Sequence, residues 1–473
     1  MSVESRLREA GQPRLADAIE RLPADRRVRL AAQAEALDLD LVARLVGELL
    51  GGDEPEVGGE IAPPDPDGLI PLARDDADRA RDARAREAGE QLLADGAVAA
   101  VLLAGGQGTR LGFDGPKGLF PFAPITGRTL FSHHAAKIAA LRARYGAALP
   151  WYILTSPQND AATRAAFEEA GWYGLDPSSV RLVVQGTLPA VDRESGQILL
   201  EEPDRIALSP DGHGGLLSAL RAAGSLDEME DEGIRTVFTF QVDNPMVRVC
   251  NPALLGHHAL AEADMASVVV RKVGPEEKMG VIARVGGRTG VVEYSDLSDE
   301  LAAQRDADGE LVYWAGSIAV HCLQVDFARD LTEGGLRLPF HRAVKKVPHV
   351  DDAGHHVDPE APNAVKFETF LFDALPSARR TVTVEAARED EFSPIKNAEG
   401  SDSPDTARRD LNRLYARWLA AAGVVVPDGS DGEPVDLEID PRAALEARDL
   451  PAALPPGFRV DGPTVISPPG ATP

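Results

Sequence analysis

Val101-Leu-Leu-Ala-Gly-Gly-Gln-Gly-Thr-Arg-Leu-Gly-Phe-Asp-Gly-Pro-Lys-Gly118 decides the fold. It closes an apolar run, 97–104, whose length and valine content match a strand buried on both faces of a parallel sheet. The run stops in Gly105, Gly106, Gly108 and Gly112, four glycines within eight residues. Without Cβ atoms, backbone N–H groups there can curl round an anion, and Arg110 and Lys117 add fixed positive charge. The stretch therefore predicts a phosphate cradle at the carboxyl end of a strand. Spacing excludes two commoner glycine loops. The dinucleotide fingerprint G-x-G-x-x-G needs glycine where Leu111 stands, and the P-loop needs Gly-Lys-Ser/Thr, whereas Lys117 lies between Pro116 and Gly118.

Outward from this loop, strand-like segments at 151–155, 180–184, 235–242 and 266–271 alternate with helical ones at 132–144, 159–170 and 215–223. Such alternation predicts an α/β fold, a Rossmann-like parallel or mixed sheet with helices on both faces. Ligands in such sheets sit beyond the carboxyl ends of the strands. Asp243 also ends a strand, so it and the glycine loop can share one crevice. Residues 1–50 are helical by period, with Leu7, Ala10, Leu15, Ala18, Ile19 and Leu22 on one stripe. An acidic Gly/Pro-rich linker follows at 51–66, then a charged helix at 75–90. Beyond about 400 the pattern weakens to a helix at 406–422 and a proline-rich end with a small β element at 457–460. The expected division is a helical amino-terminal region with its linker (1–96), an α/β domain that carries the phosphate cradle (97–400) and a small carboxyl-terminal region (401–473).

At 473 residues and 44% hydrophobic, the chain is long enough for two or three domains. No apolar run approaches the roughly eighteen residues of a membrane span. The start, Met1-Ser-Val-Glu-Ser-Arg-Leu, lacks an apolar signal core, so a cytoplasmic location is expected. Cys250 and Cys322 are too few for a disulfide framework, match no metal spacing and are expected as buried small hydrophobes. The adjacent histidine pairs (133–134, 257–258, 355–356) also lack metal-ligand spacing and are expected to be structural. A net charge of −27 opposes binding to nucleic acid or anionic membranes. An acidic protein that binds phosphates needs a local reversal of sign, from cationic side chains and a metal. Asp243, delivered to the crevice rim by the run Val237-Phe-Thr-Phe-Gln-Val, is a hard oxygen ligand suited to Mg²⁺ (or Mn²⁺), which takes one or two carboxylates and fills its shell with phosphates and water. In isolation Asp243 is equally readable as the cap of an Asp-Asn-Pro turn. Gln185 and the backbone at Gly212 offer amide groups that can both donate to and accept from a flat polar ligand edge.

The glycine loop with its Pro-Lys, and the ordered blocks after it, resemble the eukaryotic-type UDP-N-acetylhexosamine pyrophosphorylases, within the wider UTP:sugar-1-phosphate uridylyltransferases. The blocks are Trp151-Tyr-Ile-Leu-Thr-Ser, Gln185-Gly-Thr-Leu-Pro-Ala190, Pro210-Asp-Gly-His-Gly-Gly215, Val242-Asp-Asn-Pro245, Gly280-Val, Val292-Glu-Tyr-Ser295, Ala315-Gly-Ser-Ile-Ala-Val-His321, Lys366-Phe-Glu-Thr-Phe-Leu-Phe-Asp373 and Arg388-Glu-Asp-Glu-Phe-Ser-Pro-Ile-Lys-Asn397. The resemblance runs through most of 90–410 and implies a GT-A-like core. It implies nucleotide contacts from Leu103, Ala104, Gly105, Gly106, Gln185 and Gly212, with the base at the last two. It further implies that Arg110 and Lys117 hold the triphosphate, Asp243 the metal, and Lys396 the sugar phosphate, with Lys366 a second candidate. Gly280, Glu293, Ser317 and His213 fall at sugar-contacting positions, and Phe370 and Phe372 wall the sugar pocket or pack the core. His213 and Ser317 both stand where that family usually carries Asn.

The implied reaction joins UTP to a sugar-1-phosphate, giving UDP-sugar and pyrophosphate. Its nucleophile is a phosphate oxygen already ionised at neutral pH, so no general base is needed. Catalysis is then positioning and charge neutralisation. Resemblance favours N-acetylglucosamine-1-phosphate, while Ser317 leaves glucose-1-phosphate or a broad sugar range open. A catalytically silent nucleotide-sugar-binding protein is the alternative of a different class. The protein is expected to act as a monomer or homodimer.

Overall fold

The computed structural model describes residues 1–50, 59–430 and 432–468, which form two compact units. The larger unit holds 59–184, 220–333 and 374–468, and is built on a mixed sheet. Along its main path the strands run Leu69–Ile70, Thr381–Glu385, Met265–Arg271, Ala315–Gln324, Thr236–Gln241, Val98–Leu103, Trp151–Thr155 and Val180–Val184. All neighbours pair in parallel except Ala315–Gln324, which is antiparallel to both of its partners. The α/β expectation is met, with a sheet dominated by parallel pairs.

Every residue of Val98–Leu103 is buried, because a central strand has helices or sheet neighbours on all sides. Trp151–Thr155 and Val180–Val184 fall on the expected residues. The helix Leu130–Tyr145 starts where the Thr129 hydroxyl accepts the Ser132 N–H, and ends at Gly146 with φ 64°. Its inner face puts Phe131, Ile138 and Leu141 into the core with Trp151, Phe167, Phe238 and Phe240. On the same unit, helices Asp76–Ala94 and Pro252–Leu260 cross with backbones in near contact. A Cβ at Gly89 would overlap Pro252, and one at Gly256 would overlap Ala85.

The smaller unit gathers the described residues of 1–58 with 185–219 and 334–373. Its amino-terminal helices, Val3–Glu9, Pro13–Arg21, Ala24–Glu35 and Leu39–Leu49, bury Leu7, Leu15, Ile19, Leu30 and Leu45 against Leu188, Val191, Ile198, Val365 and Phe367. Buried Gln12 fastens this contact, donating to the Gly196 carbonyl at 3.0 Å and accepting the Ile198 N–H at 2.8 Å.

The units therefore differ from the three stretches expected. An amphipathic helix must cover its apolar stripe, and these helices find partners in two distant segments, at 188–198 and 365–367. Residues 401–468 belong to the larger unit, whose core receives Leu411, Tyr415 and Leu419 from helix Pro404–Ala421. Of the expected linker, 51–58 lies outside the described residues, and Ile61–Ala62 adds to the large sheet beside Val281–Val285. The β element expected at 457–460 is absent there. Instead Thr464–Ile466 pairs in parallel with Leu437–Ile439, because Pro455, Pro456 and Gly457 turn the chain just before Phe458. Cys250 and Cys322 are free and buried.

Candidate active site

Where Val98–Leu103 ends, the chain is pinned before it loops. The fully buried Asn159 donates from Nδ2 to the carbonyls of Ala104 (2.9 Å) and Gly106 (3.3 Å). Further on, the Lys117 N–H donates to Gly106 O at 3.1 Å and the Gly108 N–H to Gly115 O at 2.9 Å, folding the loop back on itself. A Cβ at Gly106 would meet nothing within 4 Å. Packing does not demand glycine there, and the exposed backbone is open to an anion. Arg110 is exposed on the turn Thr109–Leu111 and, among the described residues, makes no ion pair.

Asp243 follows Thr236–Gln241, the parallel neighbour of Val98–Leu103, so both loops emerge at one edge. Lys117 Nζ lies 3.3 Å from Asp243 Oδ2, and both side chains are largely buried. The sequence expectation that these two share a crevice is met. Lys396 is tethered to the same place through its backbone, since the Ile395 N–H donates to Asp243 O at 2.8 Å. Its ammonium is half-exposed, 3.8 Å from Asp402 and 5.7 Å from the centre of the Phe392 ring.

Sequence reasoning missed the residue that makes this join. Buried Asn244 donates to Glu391 O at 2.7 Å and accepts the Ser393 N–H at 3.3 Å. The signal was its place between Asp243 and Pro245, a second polar side chain in a turn flanked by Val242 and Met246. Among the described residues no three His, Cys, Asp or Glu side chains gather as a metal cage. A single strand-end carboxylate beside a lysine does fit a Mg²⁺ whose other ligands are phosphates and water. Asp243 is the residue that would hold it.

Gly280, Glu293 and Ser317 are also brought together. The Ser317 N–H donates to Gly280 O at 2.9 Å, and a Cβ on Gly280 would stand 3.1 Å from Glu293 Oε1. Ser317 lies near the start of the antiparallel strand Ala315–Gln324, hence at the edge of the sheet where Asp243 emerges.

The smaller unit carries the remaining candidates. Gly212 has φ +84°, and a Cβ there would overlap the Thr369 carbonyl, so this backbone demands glycine. The His213 Nδ1 accepts the Leu371 N–H at 3.0 Å, leaving the proton on Nε2. Burial, with His341 nearby, pushes His213 down to about 4, so it is neutral at physiological pH. Phe370 and Phe372 stack at 5.1 Å and flank the His213 ring at 5.3 and 5.5 Å. Among the described residues Lys366 makes no ion pair with Glu368. Gln185 is buried, and Asp211, which sequence analysis did not single out, is a partly buried carboxyl that desolvation pushes up to about 7.

This geometry has relatives. The family model described as UTP–glucose-1-phosphate uridylyltransferase matches residues 65–402. The human UDP-N-acetylhexosamine pyrophosphorylase-like protein 1 is 38% identical over 436 residues, covering 89% of this chain and 85% of the relative. The UDP-N-acetylglucosamine pyrophosphorylase of Saccharomyces cerevisiae is 37% identical over 350 residues, covering 72% of this chain and 73% of its own. The crystal structure of the Trypanosoma brucei uridine diphosphate N-acetylglucosamine pyrophosphorylase, in complex with inhibitor, aligns with TM-score 0.80 at 27% identity, covering 99% of this chain and 98% of that one. The chain belongs to the UTP–glucose-1-phosphate uridylyltransferase family. Both of these curated relatives carry names of the UDP-N-acetylhexosamine pyrophosphorylase type.

Proposed function

We propose that the protein is a uridylyltransferase that makes a UDP-sugar and pyrophosphate from UTP and a sugar-1-phosphate, with N-acetylglucosamine-1-phosphate preferred. The observation that carries this reading is the Lys117–Asp243 pair at 3.3 Å, at the ends of neighbouring parallel strands and beside the open backbone of Gly106. Two polyanions must meet in line, and the barrier is their mutual repulsion. Leu103, Ala104, Gly105 and Gly106 supply the backbone of the cradle, Arg110 and Lys117 neutralise the triphosphate, and Lys396 holds the incoming phosphate. Asp243 would hold Mg²⁺ (or Mn²⁺), which when bound supplies further charge neutralisation at the phosphates. In the smaller unit, Gln185 and the Gly212 backbone read the base. In that unit His213, Phe370, Phe372 and Lys366 are the sugar and sugar-phosphate candidates; in the larger unit the sugar candidates are Gly280, Glu293 and Ser317.

The GT-A-like classification of the core, a cytoplasmic location, and action as a monomer or homodimer belong to the same reading. No helix among the described residues is long and apolar enough to cross a membrane. Ser317 favours a second reading, a broader sugar range including glucose-1-phosphate, because a hydroxyl reaches less far than an amide. Turnover of UTP with N-acetylglucosamine-1-phosphate, N-acetylgalactosamine-1-phosphate and glucose-1-phosphate in the presence of Mg²⁺ decides between them. Fastest turnover with the first supports the assignment; equal or faster turnover with the glucose ester overturns it. UTP binding without pyrophosphate release from any of the three leaves a binding protein.

A further inference from the structure

The Asp243 carboxylate owes its aim to the backbone beneath it. Among the described residues its one polar side-chain contact is Lys117, at 3.3 Å. The turn that carries it, 242–247, is gripped from one side by helix Leu130–Tyr145. His134 Nε2 donates to Val242 O at 3.1 Å, and His133 Nε2 donates to Pro245 O at 3.1 Å. A carbonyl only accepts, so both rings carry a proton on Nε2. One helical turn after His133, Lys137 Nζ donates to Pro245 O at 2.6 Å and to Val247 O at 2.7 Å. From the other side the Ile395 N–H holds Asp243 O, and Asn244 binds the backbone of Glu391 and Ser393.

Lys137 is the member of this set that hydrogen-bond satisfaction does not require. Pro245 O keeps His133 without it, and Val247 O keeps the Val249 N–H at 3.1 Å. Electrostatic pairing does not account for it either, since among the described residues its ammonium makes no ion pair. What it adds is geometric. One nitrogen bound to two carbonyls two residues apart fixes their separation and ties both to a helix packed in the core. Charged or neutral, the amine has the two N–H donors this needs. A metal that takes a single protein carboxylate has no second protein ligand to correct a misdirected oxygen, so its affinity is sensitive to how that turn is held.

We infer that Lys137 is a positioning residue for the metal, fixing the turn that points the Asp243 carboxylate. The inference rests on the reading that Asp243 holds Mg²⁺. Lys137 also lines a cavity with Leu141, Met246, Val247, Tyr415 and Trp418. Methionine is of similar length and suits those surroundings, so Lys137→Met removes both donors while keeping the bulk.

The test is calorimetric binding of UTP to the full-length protein, in Mg²⁺ and in EDTA, for wild type, Lys137→Met, Lys137→Gln and Asp243→Asn. The ratio of the two dissociation constants reads how far the metal tightens the nucleotide, with no turnover involved. Lys137→Met should lower this ratio about tenfold, toward the Asp243→Asn value, as loss of a group behind a metal ligand does. Its affinity in EDTA and its melting temperature should stay at the wild-type values, which a merely structural role would not allow. Lys137→Gln keeps one donor and should fall between. A Lys137→Met protein with the wild-type ratio overturns the role of Lys137, and so does one weakened equally with and without metal. Should Lys137→Met fail to fold, Lys137→Gln decides by the same ratio; failure of both makes the lysine structural and overturns the inference. If Asp243→Asn keeps the wild-type ratio, the metal assignment itself is overturned.

Discussion

Asn244 makes no contact that chemistry requires, yet its amide ties the Asp243 turn to the backbone that carries Lys396. Replacing it with alanine leaves the Glu391 carbonyl and the Ser393 N–H buried and unpaired. That is a cost of about 1–3 kcal/mol in stability. Urea denaturation of Asn244→Ala should show it, together with a fall in kcat/KM because Lys396 loses its tether. A full-activity variant would mean that the Ile395–Asp243 hydrogen bond suffices. At Ser317 the expectation is a gain. Ser317→Asn restores an amide beside Gly280 and Glu293, and should raise kcat/KM for N-acetylglucosamine-1-phosphate relative to glucose-1-phosphate by about threefold or more, the worth of one neutral hydrogen bond. The meeting of Lys117 with Asp243 was legible because a glycine loop and a carboxylate both follow strand ends. Asn244 was not. Its role arises from what its side chain touches across a turn, which spacing does not encode.

Two elements of the larger unit lend themselves to measurement. Helices Asp76–Ala94 and Pro252–Leu260 approach so closely at Gly89 and Gly256 that a methyl group forces them apart. Gly256→Ala should destabilise the protein by about 1–3 kcal/mol through overpacking, read as a lowered melting temperature with activity retained at 25 °C. Just after strand Leu437–Ile439, Asp440 is almost fully buried between Arg128 at 2.5 Å and Arg442 at 2.7 Å. Burial alone would raise its carboxyl, but the hydrogen bonds from Arg442 and Arg128 outweigh it and hold the group at about 2. A folded value below the unfolded one stabilises above about pH 4, and that stability is lost as pH falls toward 2. The amount is about 2 kcal/mol, and Asp440→Asn should remove this part of the acid-induced loss, read as the pH dependence of the melting temperature. The contrast between elements is instructive. The run at 151–155 announces itself because a strand buried throughout is almost continuously apolar, and the run at 180–184 because it is rich in valine despite Arg181. The Gly89–Gly256 crossing is invisible in sequence, since an isolated glycine in a helical stretch looks like a weakness. Thr464–Ile466 was missed because its partner, Leu437–Ile439, lies beyond a helical turn and several prolines.

Over the whole molecule, the governing fact is sign. A chain of net charge −27 repels both substrates of the proposed reaction unless a few cations face them at short range. Lys117 is already paired with Asp243, so its removal would also strand a buried carboxylate and confuse folding with function. Arg110 is exposed and unpaired among the described residues, which makes it the cleaner probe. The direct measurement is pyrophosphate release from UTP and N-acetylglucosamine-1-phosphate with Mg²⁺ by Arg110→Ala, alongside its melting curve. An unchanged melting temperature with a rate lowered about a hundredfold, or about 3 kcal/mol of lost charge stabilisation, is the expected result. A folded variant that forms nucleotide sugar at the wild-type rate would contradict the placement of the triphosphate on this loop.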